Sequence, residues 1–449
     1  MVIFILSGLQ IHFPTGRVYS WNNTPTGDSL AYVLNEPDMH TFRYLPINID
    51  PYLIFFDKRG HKHHFKVRYY YIKTRNSNNE NTNAWLGYGE YNFHSRLRIK
   101  SVIFDFVTGA SFSYSSVESA IFGKRNSTNA AAFFQMDTRL FDQLTLTCGI
   151  RGEIYKLDTL PLATAEHSLS GPVIFRLGAN YAILKATHIR GSFGLGYRYP
   201  SIAEKYVKTI RANQYVIPNP ELKPESSWSA ELGFNQGFKL ASWIGYIDLA
   251  GFVTQYDDML EFTVAPNKEK VKYYPSVPPL FVFWSENISD TRISGLEVSA
   301  MGQGKIGNVT ANLLIGYTYM HPIDRNYDPF GPDSLKYQGR SNILNWRFKH
   351  TAKGDMECSY KGFMVGFTTF INSFMENIDP LIELIPGVKA YREAHHGPTY
   401  SVDARVGYSL NEQTKLTFIA KNLTNKQNSI RPAYVEAPRN YTLQLSYEF

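Results

Sequence analysis

The sequence of 449 residues holds only two cysteines, Cys148 and Cys358, matching no disulfide framework, zinc-ligand spacing or Cys-x-x-Cys redox motif. Each is expected to be a small side chain on a strand face. Charge is scarce too: 19% of residues are Asp, Glu, Lys or Arg, against roughly 25% in an ordinary soluble domain. The formal net charge of +7 comes without a run of like charges, so no nucleic-acid partner is expected. No apolar stretch reaches the roughly 18 residues that a membrane-spanning helix needs. With a mean hydropathy of −0.28, a helical membrane protein is excluded and a β-barrel is not. What the chain has in quantity is aromatic: 31 Tyr and 30 Phe carry most of a 15% aromatic fraction.

Those aromatic and aliphatic residues recur with period two. From Tyr441 to Phe449 the positions Tyr441, Leu443, Leu445, Tyr447 and Phe449 share one face, and Thr442, Gln444, Ser446 and Glu448 the other. Val402, Ala404, Val406 and Tyr408 repeat the pattern, as do Leu144, Leu146, Cys148 and Ile150. Such strands touch two different solvents. A soluble sandwich alternates similarly, so the connections must decide.

Short polar turns are expected near Asp57 to His61, Ser95 to Lys100, Phe141 to Gln143, Leu184 to Thr187, Lys239 to Ser242, Gln303 to Gly307, Thr351 to Gly354 and Asn411 to Thr414. Between them lie long segments: Lys73 to Asn83, Ser116 to Thr128, Lys156 to Gly171, Arg198 to Ser227, Asp257 to Arg292, Met320 to Gly339, Asn372 to Pro398 and Leu423 to Pro438. Strict alternation of this kind belongs to an up-and-down barrel with one confined rim and one open rim. Strands of about 10 residues cross a bilayer when tilted, and closure avoids unsatisfied backbone groups in lipid. The Tyr69, Tyr70, Tyr71 cluster fits an interfacial girdle. Counting back from Phe449 gives about seventeen strands down to Phe42, and Val2 to Phe13 supplies one more, roughly eighteen. No helical period or sequence repeat appears, so residues 1–449 are expected to form one all-β, antiparallel transmembrane barrel domain. The apolar Met1 to Gln10 lacks a cationic stretch and a cleavage site, so it is expected to be an internal strand.

Four blocks then become recognisable. Gly191 to Lys205 (GSFGLGYRYPSIAEK), Asn219 to Glu231 (NPELKPESSWSAE), Asn287 to Glu297 (NISDTRISGLE) and the terminal pair Asn422 to Asn425 (NLTN) with Arg431 to Phe449 resemble hallmarks of TonB-dependent outer-membrane receptors. The resemblance implies localisation in the Gram-negative outer membrane. It also implies energised, non-enzymatic uptake of a scarce nutrient by outward loops, with iron chelates the default class and cobalamin and oligosaccharides behind. It implies further a family-typical barrel of 22 strands, of which about 18 are present. No signal, TonB box or plug domain is found, so the chain is expected to be a partial barrel that lacks its plug and first strands. Expected partners are outer-membrane lipid, the barrel-assembly machinery, a small-molecule metal chelate, and TonB only in a full-length form with plug and box. Tyr441, Leu443, Leu445, Tyr447 and Phe449 would form the closing strand, and Phe449 its assembly signal.

Loop aromatics and cations are the candidate ligand contacts: Trp284, Arg325, Tyr327, Tyr391, Arg392, His395 and His396. Pro200, Pro220 and Pro224 are expected to mark strand ends. Glu204, Glu225, Glu231 and Glu297 are expected to bond structurally in a wet interior, and His61, His63 and His64 to be solvated turn residues. No catalytic residue, metal site or cofactor is expected. Two rivals stand beside the receptor: a transport-incompetent remnant or unplugged pore, and a soluble all-β carbohydrate-binding protein or enzyme. Self-closure would require Val2 to Phe13 to pair with Tyr441 to Phe449.

Overall fold

Alternating side chains set the wall. In the strand Asn440–Tyr447, Leu443 lies opposite Phe418 and Leu445 opposite Leu416. All four are exposed, Leu443 at 69% and Leu445 at 68%, so this series points outward and not into a dry core. Its opposite face places Gln444 against Thr417, on the side where charged groups pair. The computed structural model describes residues 2–11, 15–18, 40–157, 168–211, 214–266, 281–288, 290–328, 341–383, 387–431 and 435–448. Phe449 lies outside them, so its expected assembly role stays an expectation.

Among the described residues one 20-stranded sheet carries the chain. Its crossing strands are Val2–Ile11, His40–Phe56, Lys62–Asn76, Thr82–Ile99, Val102–Ser119, Gly123–Leu140, Leu144–Leu157, Ile174–Leu184 and Thr187–Arg198. The second half adds Glu225–Leu240, Trp243–Asp257, Thr291–Ile306, Val309–Asp324, His350–Tyr360, Phe363–Asn372, Thr399–Ser409, Thr414–Lys421 and Asn440–Tyr447. Two short pieces, Thr15–Val18 and Ser168–Ser170, extend the ladder at the open rim. The expected number of crossing strands, roughly eighteen, is the number found, and neighbours in sequence pair antiparallel throughout. Among the described residues no helix is long and apolar enough to cross a membrane.

Several expectations are corrected. Thr351 to Gly354 is no turn: it lies inside His350–Tyr360, and the chain reverses at Lys361 (φ +47°) and Gly362 (φ +84°). Both places carry Lys-Gly, but only the second sits between large residues, Tyr360 and Phe363, that pair across a two-residue hairpin. Ser95 to Ile99 is strand, and the turn there is confined to Lys100 and Ser101. Lys73 to Asn83 and Ser116 to Thr128 are not long loops. They are ladder almost to tips at 77–81 and 120–122. Their Ser and Asn residues show no apolar period because both faces are wet there; side chains still bond across the pair, as Ser115 with Ser127 at 2.6 Å. The wall strands therefore run up to 18 residues instead of about 10. Among the described residues three short helices, Ile202–Tyr206, Pro380–Glu383 and Val388–Ala394, also occur, all in outward connections and too brief to print a helical period.

Both cysteines are free and sit on strand faces as expected. His63 is not simply a solvated turn residue: its ring stacks on Phe55 at 4.4 Å and its Nδ1 lies 2.8 Å from the Tyr91 hydroxyl. On the inner face, carboxylates bracket arginines. Arg190 pairs with Asp248 at 2.6 Å and Glu231 at 3.0 Å; Arg405 pairs with Asp355 at 2.9 Å and Glu357 at 3.1 Å. Glu231 thus has the structural role expected of it.

The sheet's two margins differ from the expectation of self-closure. Val2–Ile11 pairs with Ile47 to Phe55, and Asn440–Tyr447 pairs with Thr414 to Lys421. Among the described residues no ladder joins the two to each other. The strand beside the first margin holds Pro46 and Pro51, each lacking an N–H for the ladder. A register shift between Ser7 and Leu9 bulges the same margin.

Candidate ligand-binding site

Among the described residues the buried apolar clusters lie in the outward connections and not in the barrel wall. A four-stranded sheet runs Thr209–Arg211, Gln214–Val216, Phe281–Ile288, Met259–Pro266. Ile217, Val282 and Trp284 form one buried cluster on it. A second, Val264 with Met375, Ile378, Ile382 and Val388, joins the sheet to the segment after Phe363–Asn372.

The blocks singled out in the sequence build this scaffold. Ser201 caps the helix Ile202–Tyr206, and Glu204 returns the bond to the Ser201 N–H at 2.7 Å. Burial alone would raise the Glu204 carboxyl; the Arg198 guanidinium at 2.7 Å and Ser201 hold it below its usual range. Arg198 also grips Glu225 at 2.8 Å, whose other oxygen accepts the Leu260 N–H. Burial pushes the Lys205 ammonium down, and it donates to the Leu222 carbonyl at 3.2 Å. Two of the recognisable blocks meet in space. The Asn219 amide donates to the Ser285 carbonyl at 2.9 Å, while Asn287 accepts from the Lys223 N–H at 2.9 Å and donates to the carbonyls of Lys223 and Asp258. In the sequence these blocks resemble family hallmarks, with Pro200, Pro220 and Pro224 marking strand ends; their partners lie too far along the chain for spacing to disclose.

Beside this scaffold a cleft of about 280 Å³ opens between the 373–399 and 426–435 segments. Val388 anchors the helix Val388–Ala394 in the core, which turns its next face, Tyr391, Arg392 and His395, toward the cleft. Tyr391 and His395, one helical turn apart, stack at 4.2 Å. The Arg392 guanidinium lies over the Phe374 ring at 4.7 Å and donates to the Met375 carbonyl at 3.0 Å, with Glu383 at 3.4 Å. Lys426 faces them, its ammonium 3.8 Å above the Tyr400 ring. The NLTN block holds Lys426 there. Asn422, in left-handed backbone (φ +49°), accepts the Lys426 N–H at 3.1 Å and donates to the carbonyls of Lys426 and Ala437. Replacing Asn422 by alanine removes three bonds of about 0.5–1.5 kcal/mol each. Trypsin should then cut after Lys426 at least fivefold faster while the barrel keeps its folded mobility on unheated gels.

The structure brings together three of the seven expected ligand contacts. Tyr391, Arg392 and His395 line the cleft; His396 stands on its far side, in a separate recess with Glu376, Lys389 and Glu393. The other three are elsewhere. Trp284 is 7% exposed inside the cap sheet and donates to Glu286 at 2.9 Å. Arg325 pairs with Asp290 at 2.9 Å, and Tyr327 lines an acidic recess with Glu261, Asp324 and Asp379. Sequence reasoning missed Lys426, Phe374 and Phe348 as cleft residues, since a cation that follows a recognisable block carries no sign of what it faces. Aromatic surface flanked by two cations can hold a flat, anionic molecule by stacking and charge. Among the described residues no group of three or more His, Cys, Asp or Glu is placed to hold a metal ion.

Residues 8–423 match the family described as TonB dependent receptor-like, beta-barrel. Among curated proteins, the chain is 24% identical over 278 residues to a vitamin B12 transporter, BtuB, of Vibrio vulnificus, covering 61% of this chain and 36% of that protein. It is 27% identical over 165 residues to a hemoglobin-haptoglobin utilization protein B of Neisseria meningitidis, covering 35% of this chain and 19% of that one. The chain thus spans about a third or less of these relatives. Among solved structures, the ferric-catecholate import receptor Fiu from K12 E. coli superposes with a TM-score of 0.68 at 13% identity, over 94% of this chain and 67% of that one. The Serratia marcescens hemophore receptor HasR, in complex with its hemophore and heme, superposes at 0.63 and 16%, over 91% and 66%. At these identities the superpositions establish the fold.

Proposed function

Because the chain belongs to the TonB-dependent receptor β-barrel family, we propose that it forms the wall and outward loops of a receptor that captures an iron-siderophore complex and passes it inward. It is an outer-membrane protein, and its family comprises transport receptors. The observation that carries the substrate class is the cleft, whose lining combines the Tyr391–His395 stack with the cations Arg392 and Lys426. A ferric catecholate offers flat rings and negative charge to that lining, which a neutral oligosaccharide does not. The supporting partners are lipid on the Leu443 face, the assembly machinery, and TonB acting through a plug.

The two margins, without an outer partner among the described residues, support a second element of the proposal. An edge strand left open in lipid exposes unsatisfied N–H and C=O groups at several kcal/mol each. In this reading, further strands complete the wall between Val2–Ile11 and Asn440–Tyr447, and a plug occupies the lumen. A remnant that never closes would keep those margins bare and lose its fold in lipid.

Titration of the outer-membrane-purified receptor with a ferric catecholate, with cobalamin and with a maltooligosaccharide tests the substrate. We expect binding of the ferric catecholate only, weakened at least tenfold in His395→Ala and in Lys426→Ala. Binding of the oligosaccharide alone, or binding of the chelate that neither variant alters, sinks the assignment.

A further inference from the structure

The cap sheet touches two places on the rim that lie far apart along the wall. At one end, the Thr209 hydroxyl donates to Glu80, on the tip after Lys62–Asn76, and the Lys208 N–H donates to the Ile121 carbonyl at 2.8 Å, on the next tip. Arg125 lies over the Tyr206 ring at 4.5 Å, closing the same contact. At the other end, the Val264 N–H donates to Asp379 at 3.0 Å and Glu261 pairs with Arg347. Asp379 belongs to the connection that follows Phe363–Asn372.

Only three strand spacings separate Thr209 from Val264: Thr209 pairs with Val216, Val216 with Phe283, Phe283 with Val264. Three spacings are about 14 Å. Along the wall, the strands Thr82–Ile99 and Phe363–Asn372 are eleven ladders apart through the paired strands between them, which is about 50 Å at roughly 4.8 Å per ladder, and six ladders plus the gap between the margins by the other way round. A sheet that joins two such points by the shorter route cannot follow the rim. It must cross the mouth as a chord.

We propose that this crossing sheet is a hinged roof over the outward mouth, latched at Thr209 and Glu80 and opened by release from the two tips. The strength of its contacts decides which side moves. Toward the strands that carry it, the roof is tied by the Leu260 N–H donated to Glu225 and by Asn287, which donates to the Asp258 carbonyl, while the Ile217–Val282–Trp284 cluster stiffens the roof itself. Toward the Asp379 side it is fixed by the buried Val264 cluster. At the tips the contacts described are hydrogen bonds and the Arg125–Tyr206 cation–ring contact, and among the described residues neither buried apolar cluster extends to them. Polar contacts exchange readily with water, whereas buried apolar clusters do not, so the tip side parts first. The cleft at Arg392 shares Met375 and Val388 with the cluster on the fixed side, so it stays with that side when the tips part.

The inference rests on the proposed role of the lumen as the passage, and the test separates the two. In a background with Cys148 and Cys358 replaced by alanine, Glu80→Cys and Thr209→Cys are combined with a reporter thiol, Ser113→Cys, on the inner wall. Intact cells lacking general porins are treated with a mild oxidant, then with a membrane-impermeant maleimide, with each single cysteine variant as control and gel mobility of unheated samples confirming a folded barrel. A roof across the mouth predicts rapid formation of the 80–209 disulfide, at least tenfold slower labelling of Cys at 113 in the oxidised protein, and recovery on reduction. Absence of the cross-link in a folded barrel overturns the crossing geometry. A cross-link that leaves the labelling rate unchanged overturns the roof as a barrier. Neither readout requires transport, so a failure of substrate binding would not be mistaken for a failure of the roof.

Discussion

Arginine at Leu443 should destabilise the assembled barrel by about 2–4 kcal/mol, while arginine at Gln444, one residue on, should change it by less than about 0.5 kcal/mol. Leu443 stands in mid-strand, exposed beside Phe418, Leu445 and Tyr441, where hydrocarbon replaces water in the membrane. A guanidinium there has no partner and must drag water or headgroups inward. Gln444 points to the inner face, opposite Thr417, where water and other polar groups receive the charge. Urea unfolding in lipid vesicles, followed by tryptophan fluorescence, measures both variants against the parent. Equal losses at the two positions would mean that the faces are not what the alternation says, and the outer-membrane reading would fail with them.

Gly295 provides the second large effect. A Cβ built on Gly295 would lie 2.1 Å from the Tyr319 carbonyl oxygen and 2.8 Å from the Phe252 ring. The ring can turn aside, but the carbonyl belongs to the neighbouring ladder strand, paired at Gly295↔Met320 and Leu296↔Tyr319, and cannot. Gly295→Ala should therefore cost about 1–3 kcal/mol, the range of overpacking in a tightly built site. Gly316 is the control: it lies in the adjoining strand with nothing within 4 Å of its would-be Cβ. Gly316→Ala should be neutral or slightly stabilising, because alanine restricts the unfolded chain more than glycine does. The same vesicle unfolding distinguishes them, and equal midpoints would remove close packing as the reason for Gly295.

Much of the wall was legible because period two is a local property. Leu443, Leu445, Tyr447 and their counterparts at Val406 and Tyr408 announce a face whatever they pair with, and turns such as Asp57 to His61 announce themselves through residues that cap and bend. Legibility ended where local chemistry is degenerate. Lys353-Gly354 and Lys361-Gly362 look alike until the Tyr360 and Phe363 pairing is known. The Ser-rich and Asn-rich stretches read as loops because a strand with water on both sides carries no apolar signal. Of the candidate contacts, Tyr391, Arg392 and His395 could be found together because they lie within five residues of sequence, which the structure folds into one helix and its C-cap. Trp284 could not be told from a ligand contact, since an aromatic looks the same in sequence whether it faces solvent or the Ile217 cluster.

By itself, then, the order of residues settled the all-β wall, its approximate strand number and the family, since each depends on neighbours two to ten positions apart. Only the tertiary structure decided that Asn219 meets Ser285, that Lys426 and Arg392 line one cleft, and that Thr209 reaches Glu80. Those contacts join segments tens to more than a hundred residues apart. Their energy comes from burying and pairing groups that folding alone brings within a few ångströms, and no period or spacing along the chain records that encounter.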